Sequence, residues 1–167
     1  MGNKHRETLG EITPVRVRVV KPYQSLTVGD ERIGPLTPDK ELILARWKAD
    51  VLVAEGIVER VLPTLAEIRT YTRVEERSDT LQPLPENLYG DALHLASKEE
   101  SHRRKEIVAE VLALGRLRLE KIVKMALYGE EKPDNMVYQE RILYNKLRQT
   151  LVEWQRNNLM LNEKMGQ

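Results

Sequence analysis

The sequence predicts an α+β fold: a small N-terminal β-rich domain followed by a larger all-α helical bundle domain. Three observations carry this. Val15-Arg16-Val17-Arg18-Val19-Val20 alternates apolar and charged residues, the period of a half-buried strand. Turn-forming pairs, Gly29-Asp30, Gly34-Pro35 and Thr37-Pro38, then divide the chain into short pieces. From Pro63 onward the apolar spacing becomes helical.

The elements follow in order. Residues 1–12 are polar and patternless and are read as a mobile tail. In the first strand, valine at alternate positions suits a pleated core face, with Arg16 and Arg18 toward water. Lys21-Pro22 ends it, because proline has no N–H for a ladder. Arg32-Ile33 is a short strand between turns, and Glu41-Leu42-Ile43-Leu44 is the second or third of the sheet. A helix is predicted from about Ala45 to Glu55, with Trp47, Asp50, Val51 and Ala54 on one stripe, Leu52 and Val53 widening it and Gly56 closing it. Residues 13–62 thus make the β-rich domain with one helix, and residues 63–167 the helical domain.

In that second domain Pro63 suits a first helical turn, and Leu65, Ile68, Thr72 and Glu75 mark a helix to about Arg77. Two prolines in Gln82-Pro83-Leu84-Pro85 mark a loop, and Leu88, Ala92, Leu95 and Ala96 mark the next helix. The longest predicted helix runs from Arg103 to Tyr128. Val108, Val111, Leu112, Gly115, Leu119, Ile122 and Ala126 form its stripe, with Ile107, Leu114, Leu117 and Met125 largely outside it. Apolar residues on more than one side require several neighbours or a partner chain. Gly129 ends that helix, Asp134 or Asn135 is the N-cap candidate of the next, and the last runs from about Met136 to Met160. Its face is Leu143, Leu147, Leu151 and Trp154.

Composition narrows the chemistry. With no cysteine there are no disulfides, thiolate nucleophiles or cysteine-ligated zinc. No apolar run reaches the roughly 20 residues of a membrane span, and the first residues lack the apolar core of a signal peptide, so a soluble intracellular chain is expected. His94 and His102 are eight residues apart, too far along a straight helix to share a metal. Glu99-Glu100 and Glu130-Glu131 read as solvated helix ends, since neighbours in sequence do not face each other on a helix. No catalytic residue, cofactor or metal ligand is assigned, and the chain is read as no enzyme.

Net charge is near zero, with 27 basic and 26 acidic side chains, which argues against a dedicated duplex-binding domain. One local run is basic: Arg103, Arg104, Lys105, Arg116, Arg118, Lys121 and Lys124. It reads either as a solvated helix face or as a secondary DNA contact. Trp47 and Trp154 fall on predicted apolar faces and are read as core rather than as base-stacking residues.

Two stretches carry a family resemblance. Ile33-Gly34-Pro35-Leu36-Thr37-Pro38, then Glu41-Leu42-Ile43-Leu44-Ala45-Arg46-Trp47 and Val51-Leu52 to Gly56, resemble the small domain of GINS subunits. Pro83-Leu84-Pro85-Glu86-Asn87-Leu88-Tyr89, then Leu114-Gly115-Arg116-Leu117-Arg118-Leu119-Glu120-Lys121-Ile122, resemble the GINS helical domain, with Leu88 where the family often has phenylalanine. The β-first order is similar to the branch containing Psf-two and Psf-three, and the short length to an archaeal subunit. The resemblance implies a non-catalytic subunit of the GINS complex, a scaffold for the MCM replicative DNA helicase. It implies a heterotetramer with two copies each of this chain and a second GINS-type subunit. A RecJ-like or Cdc-type replication factor would be a further partner, and the setting cytoplasmic, at nucleoid replication forks. On that reading Leu114, Leu117, Ile122, Leu147, Leu151 and Trp154 contribute to the helical core or to subunit contacts. The alternative function is a DNA-binding helical module using the Arg103–Lys124 surface.

Overall fold

The computed structural model describes residues 13–129 and 135–159. The tail of residues 1–12, Glu130-Glu131 and Asp134 lie outside them. The fold is α+β, a small antiparallel sheet region followed by a larger helical part. Its elements are β1 (Pro14–Val19), β2 (Leu26–Val28), β3 (Glu31–Ile33), β4 (Glu41–Ala45), α1 (Arg46–Ala54), β5 (Val58–Arg60), α2 (Leu65–Glu76), α3 (Leu88–Lys98), α4 (Ser101–Tyr128) and α5 (Tyr138–Asn158). Among the described residues no helix is long and apolar enough to cross a membrane.

These elements form two compact units. The first takes in the described residues up to Pro63 and also Glu86–Leu95; the second comprises Thr64–Pro85 and the chain from Ala96. The helical domain predicted as one run from residue 63 is therefore interrupted, because the first turns of α3 pack with the sheet unit.

In the first unit β1 is the central strand, antiparallel to β4 on one side and β5 on the other. The predicted alternation places Val15, Val17 and Val19 fully inside, beside Ala49, Leu52 and Val58. Each buried valine contributes about 1.5–3 kcal/mol of apolar transfer. On the outer face Arg18 bridges the two edge strands through Glu41 at 3.3 Å and Glu59 at 3.4 Å. Glu41–Ala45 is the fourth strand in chain order, and β5 is an additional strand that its three residues were too few to announce.

Helix α1 buries Ala49 and Leu52, while Val51 is half exposed and Asp50 and Ala54 face solvent. The predicted stripe through Asp50, Val51 and Ala54 is therefore rotated away from the sheet. Trp47 does pack against the core. It also explains Gly29, the first residue of the two-residue loop between β2 and β3. Gly29 has φ +62°, and a Cβ there would lie 2.9 Å from the Trp47 ring.

The Glu86–Leu95 segment is held by a polar junction. Asn87 Nδ2 donates to Asp91 Oδ1 at 2.7 Å, Arg46 Nη2 donates to Asn87 Oδ1 at 3.4 Å, and Arg60 Nη1 lies 3.9 Å from Asp91. Burial raises the Asp91 pKa above its ordinary value, against the lowering effects of the Asn87 hydrogen bond, Arg60, Arg46 and His94. The folded chain thus holds this proton to higher pH than the unfolded chain. This contribution to stability is present in acid and is lost as pH rises through the folded pKa. Urea unfolding of wild type and Asp91→Asn across acid to neutral pH should show the variant gaining on wild type as pH rises. A difference independent of pH would contradict this.

In the second unit Thr64 caps α2. Its Oγ1 accepts the Glu67 N–H at 3.2 Å, and Glu67 Oε2 accepts the Thr64 N–H at 2.7 Å. Pro63 thus precedes the cap instead of occupying the first helical turn. Thr64→Ala is expected to lose about 1 kcal/mol of stability, read as a lower denaturant midpoint at unchanged slope. A variant with the wild-type midpoint would remove the cap from the account.

Helix α4 packs against α2 and α5 and closes at Gly129, whose φ of +75° supplies the left-handed position. Its buried residues are Ile107, Leu114, Arg118, Ile122 and Ala126. The predicted stripe is corrected here: Leu112 and Leu119 are exposed, Leu114 is core, and Met125 packs beside Ile122. Val137, not Asn135, is the N-cap residue of α5; Glu140 reaches back to accept the Val137 N–H at 3.1 Å. On α5 the inner row is Glu140 and Tyr144, continued by half-buried Leu147 and Leu151, while Leu143 lies outside it and is partly exposed.

Candidate interaction surface

The long helix α4 positions most of the residues that the sequence singled out. On its buried side a continuous apolar row is broken once, by Arg118, four residues after Leu114 and four before Ile122. An arginine in that register is desolvated, so all five of its N–H donors require acceptors. They have them. Nε donates to Glu140 Oε1 at 2.7 Å; Nη1 donates to Glu75 Oε2 at 2.7 Å and the Gln82 carbonyl at 2.8 Å. Nη2 donates to Glu140 Oε2 and the Asn135 carbonyl, both at 2.8 Å.

Lys121 completes the charge balance. Its ammonium donates to Glu75 Oε1 and to the Glu75 carbonyl, both at 2.6 Å, and to the Thr80 carbonyl at 3.1 Å. Two cations thus face two carboxylates, and the hub ties the end of α2, the Thr80–Gln82 loop, α4 and the start of α5. Burial alone would lower the Arg118 pKa. The hydrogen bond and charge of Glu140, then those of Glu75, outweigh it and hold the guanidinium above its ordinary value.

This geometry corrects the reading of the basic run. Arg118 has no exposed surface and cannot touch DNA, and Lys121 is committed to the same hub. Lys124 is paired with Glu120 at 2.7 Å, an exposed contact that raises the lysine pKa and lowers that of the glutamate through a mutual hydrogen bond. Arg104 donates to the Ala96 and Glu99 carbonyls, both at 3.1 Å, satisfying the C-terminal end of α3. Arg103 lies 3.6 Å from Glu106. Only Lys105 and Arg116 of the seven are left without a hydrogen bond or ion pair among the described residues. Arg118 and Lys121 are therefore withdrawn from any basic stripe on α4.

The six apolar site residues also divide. Leu114 and Ile122 are core, while Leu147 and Leu151 are half-buried against the cluster of Leu81, Ile122, Ala126, Met136 and Tyr144. Leu117 is half-exposed and lines an open cavity of about 560 Å³ with Glu76, Asp79, Glu120, Lys124 and Tyr128. Trp154, expected in the core, is 55% exposed; the inward face of α5 runs through Tyr144, Leu147 and Leu151 and leaves it outside.

A surface that the sequence reading missed lies on another side of α4. Leu112, Leu119, Val123 and Leu127 are 54, 43, 42 and 50% exposed. Gly115 lies beside this row, with open space where a Cβ would stand. Spacing alone does not select this row, because both rows of α4 carry aliphatic residues and the burial of Arg118 depends on Glu75 and Glu140 from other helices.

His94 and His102 are both exposed, and among the described residues no group of histidine, aspartate and glutamate is arranged to hold a metal ion. No protein-family model and no characterised protein matches this sequence.

Proposed function

We propose that this chain is a non-catalytic scaffold subunit of the GINS type, acting in the assembly and activation of the MCM replicative helicase. One observation carries the scaffold reading: α4 carries a second apolar row, rotated by roughly a third of a turn from its buried one, which the described residues leave exposed. An exposed row of four large aliphatic side chains on a 28-residue helix favours a protein interface over solvent. The family assignment rests on the sequence resemblance and on the β-first, helices-second order. The partner for the row is a second GINS-type subunit, with two copies of each chain in the assembly. MCM and a RecJ-like or Cdc-type factor would be recruited by the assembled tetramer at replication forks in the cytoplasm. Such a scaffold works by binding one arrangement of its clients more tightly than another, which requires interface area and no chemistry.

The test is the mass by light scattering of this chain alone and after co-expression with a β-last GINS-type subunit from the same cell. A discrete complex with equal numbers of both chains supports the reading. A chain that stays monomeric in the presence of that subunit removes it.

A further inference from the structure

Lys105 and Arg116, the two of the seven basic residues without a partner among the described residues, share a side of α4. Of the seven between Arg103 and Lys124, five are bonded within the chain: Arg103 to Glu106, Arg104 to carbonyls, Arg118 and Lys121 in the buried hub, and Lys124 to Glu120. Arg116 stands inside the exposed apolar row, four residues after Leu112 and three before Leu119, and Lys105 lies two turns before Leu112. Neither forms a hydrogen bond or ion pair with a described residue. Eleven residues separate them, about 16 Å along the axis at the helical rise.

We propose that this face of α4 binds an amphipathic helix of a partner protein whose apolar ridge is accompanied by carboxylates positioned to meet Lys105 and Arg116. The open space over Gly115 lets a partner backbone approach closely, and the four aliphatic side chains supply the seam. A lipid surface fits less well. A cation within the apolar row, between Leu112 and Leu119, would be carried into hydrocarbon, whereas membrane-surface helices keep their cations at the polar boundary. A carboxylate on a partner helix satisfies Arg116 where it stands. This deepens the scaffold reading: it rests on that reading for the identity of the partner but not for the existence of the surface.

The experiment uses the full chain and two synthetic helical peptides with the same leucine ridge. One carries glutamates and the other lysines, at positions eleven residues apart, and binding is read by fluorescence anisotropy. The glutamate peptide should bind about tenfold more tightly, the equivalent of two partly exposed charge pairs. Lys105→Gln with Arg116→Gln should remove the preference, and Leu119→Glu should abolish binding of both peptides, with far-UV circular dichroism unchanged in each variant. Equal affinity for the two peptides overturns the proposal, as does binding of neither. It is also overturned by stronger binding to phosphatidylserine vesicles that displaces the peptide, or by a concentration-dependent dimer of this chain that Leu119→Glu disrupts. Peptide preference without a complex with the second subunit would keep this surface and remove the GINS assignment; a complex without peptide preference would do the reverse.

Discussion

Replacing Arg118 with alanine should destabilise the helical unit by about 3–5 kcal/mol, the usual loss when one partner of a buried ion pair is removed. The cause is less the lost attraction than the state of what remains. Glu75 is fully buried and Glu140 nearly so, and the substitution takes away three of their charge-assisted hydrogen bonds. The Gln82 and Asn135 carbonyls lose their guanidinium donors as well. Lys121 still neutralises Glu75, and the Val137 N–H still donates to Glu140. A control isolates charge from packing. Arg118→Met combined with Glu75→Gln, Glu140→Gln and Lys121→Met removes all four charges while leaving amide oxygens for the Gln82 and Val137 N–H groups. It should lose clearly less stability than Arg118→Ala alone. Urea unfolding followed by circular dichroism measures both, and a loss under about 1 kcal/mol for Arg118→Ala would mean that the hub is not what holds these helices together.

The second large effect separates core from surface on α4. Leu119→Glu should leave the helical spectrum and melting temperature near those of wild type, because the side chain already meets water. It should weaken association with the second subunit about a hundredfold or more, the scale of an interface hot spot. Leu114→Glu should instead lose the helical signal, since a carboxylate at a position 1% exposed has no acceptable solvation. Melting curves and light scattering on the two variants make the comparison. Leu119→Glu forming the complex at wild-type affinity would take this face out of the assembly.

Legibility in the sequence followed the range of the forces involved. The β1 alternation was readable because a strand has two faces and its valines occupy every second position, so Val15, Val17 and Val19 could only be buried together. The extent of α4, from Ser101 to Tyr128, was readable to within two residues from its periodicity and the closing Gly129. Which side of α4 faces inward was not. Both sides carry aliphatic residues, and the choice between Leu112 with Leu119 and Ile107 with Leu114 depends on where α2 and α5 pack. Glu75 stands on the predicted α2 stripe, among Leu65, Ile68 and Thr72, without any indication in the sequence of the cation that it meets. Sequence spacing could not identify that cation, because 43 residues separate Glu75 from Arg118.

By itself, the sequence determined the α+β order, the placement of β1, the four-turn and longer helices and the absence of cysteine chemistry. All of these follow from local period, turn residues and composition. Only the tertiary structure decided that Glu86–Leu95 joins the sheet unit, that Arg118 and Lys121 are internal, that Trp154 is exposed and that α4 keeps an uncovered apolar row. The physical reason is common to these cases. Burial and charge pairing depend on residues distant in the chain arriving at the same place, and a helix apolar on two sides leaves that choice to its neighbours.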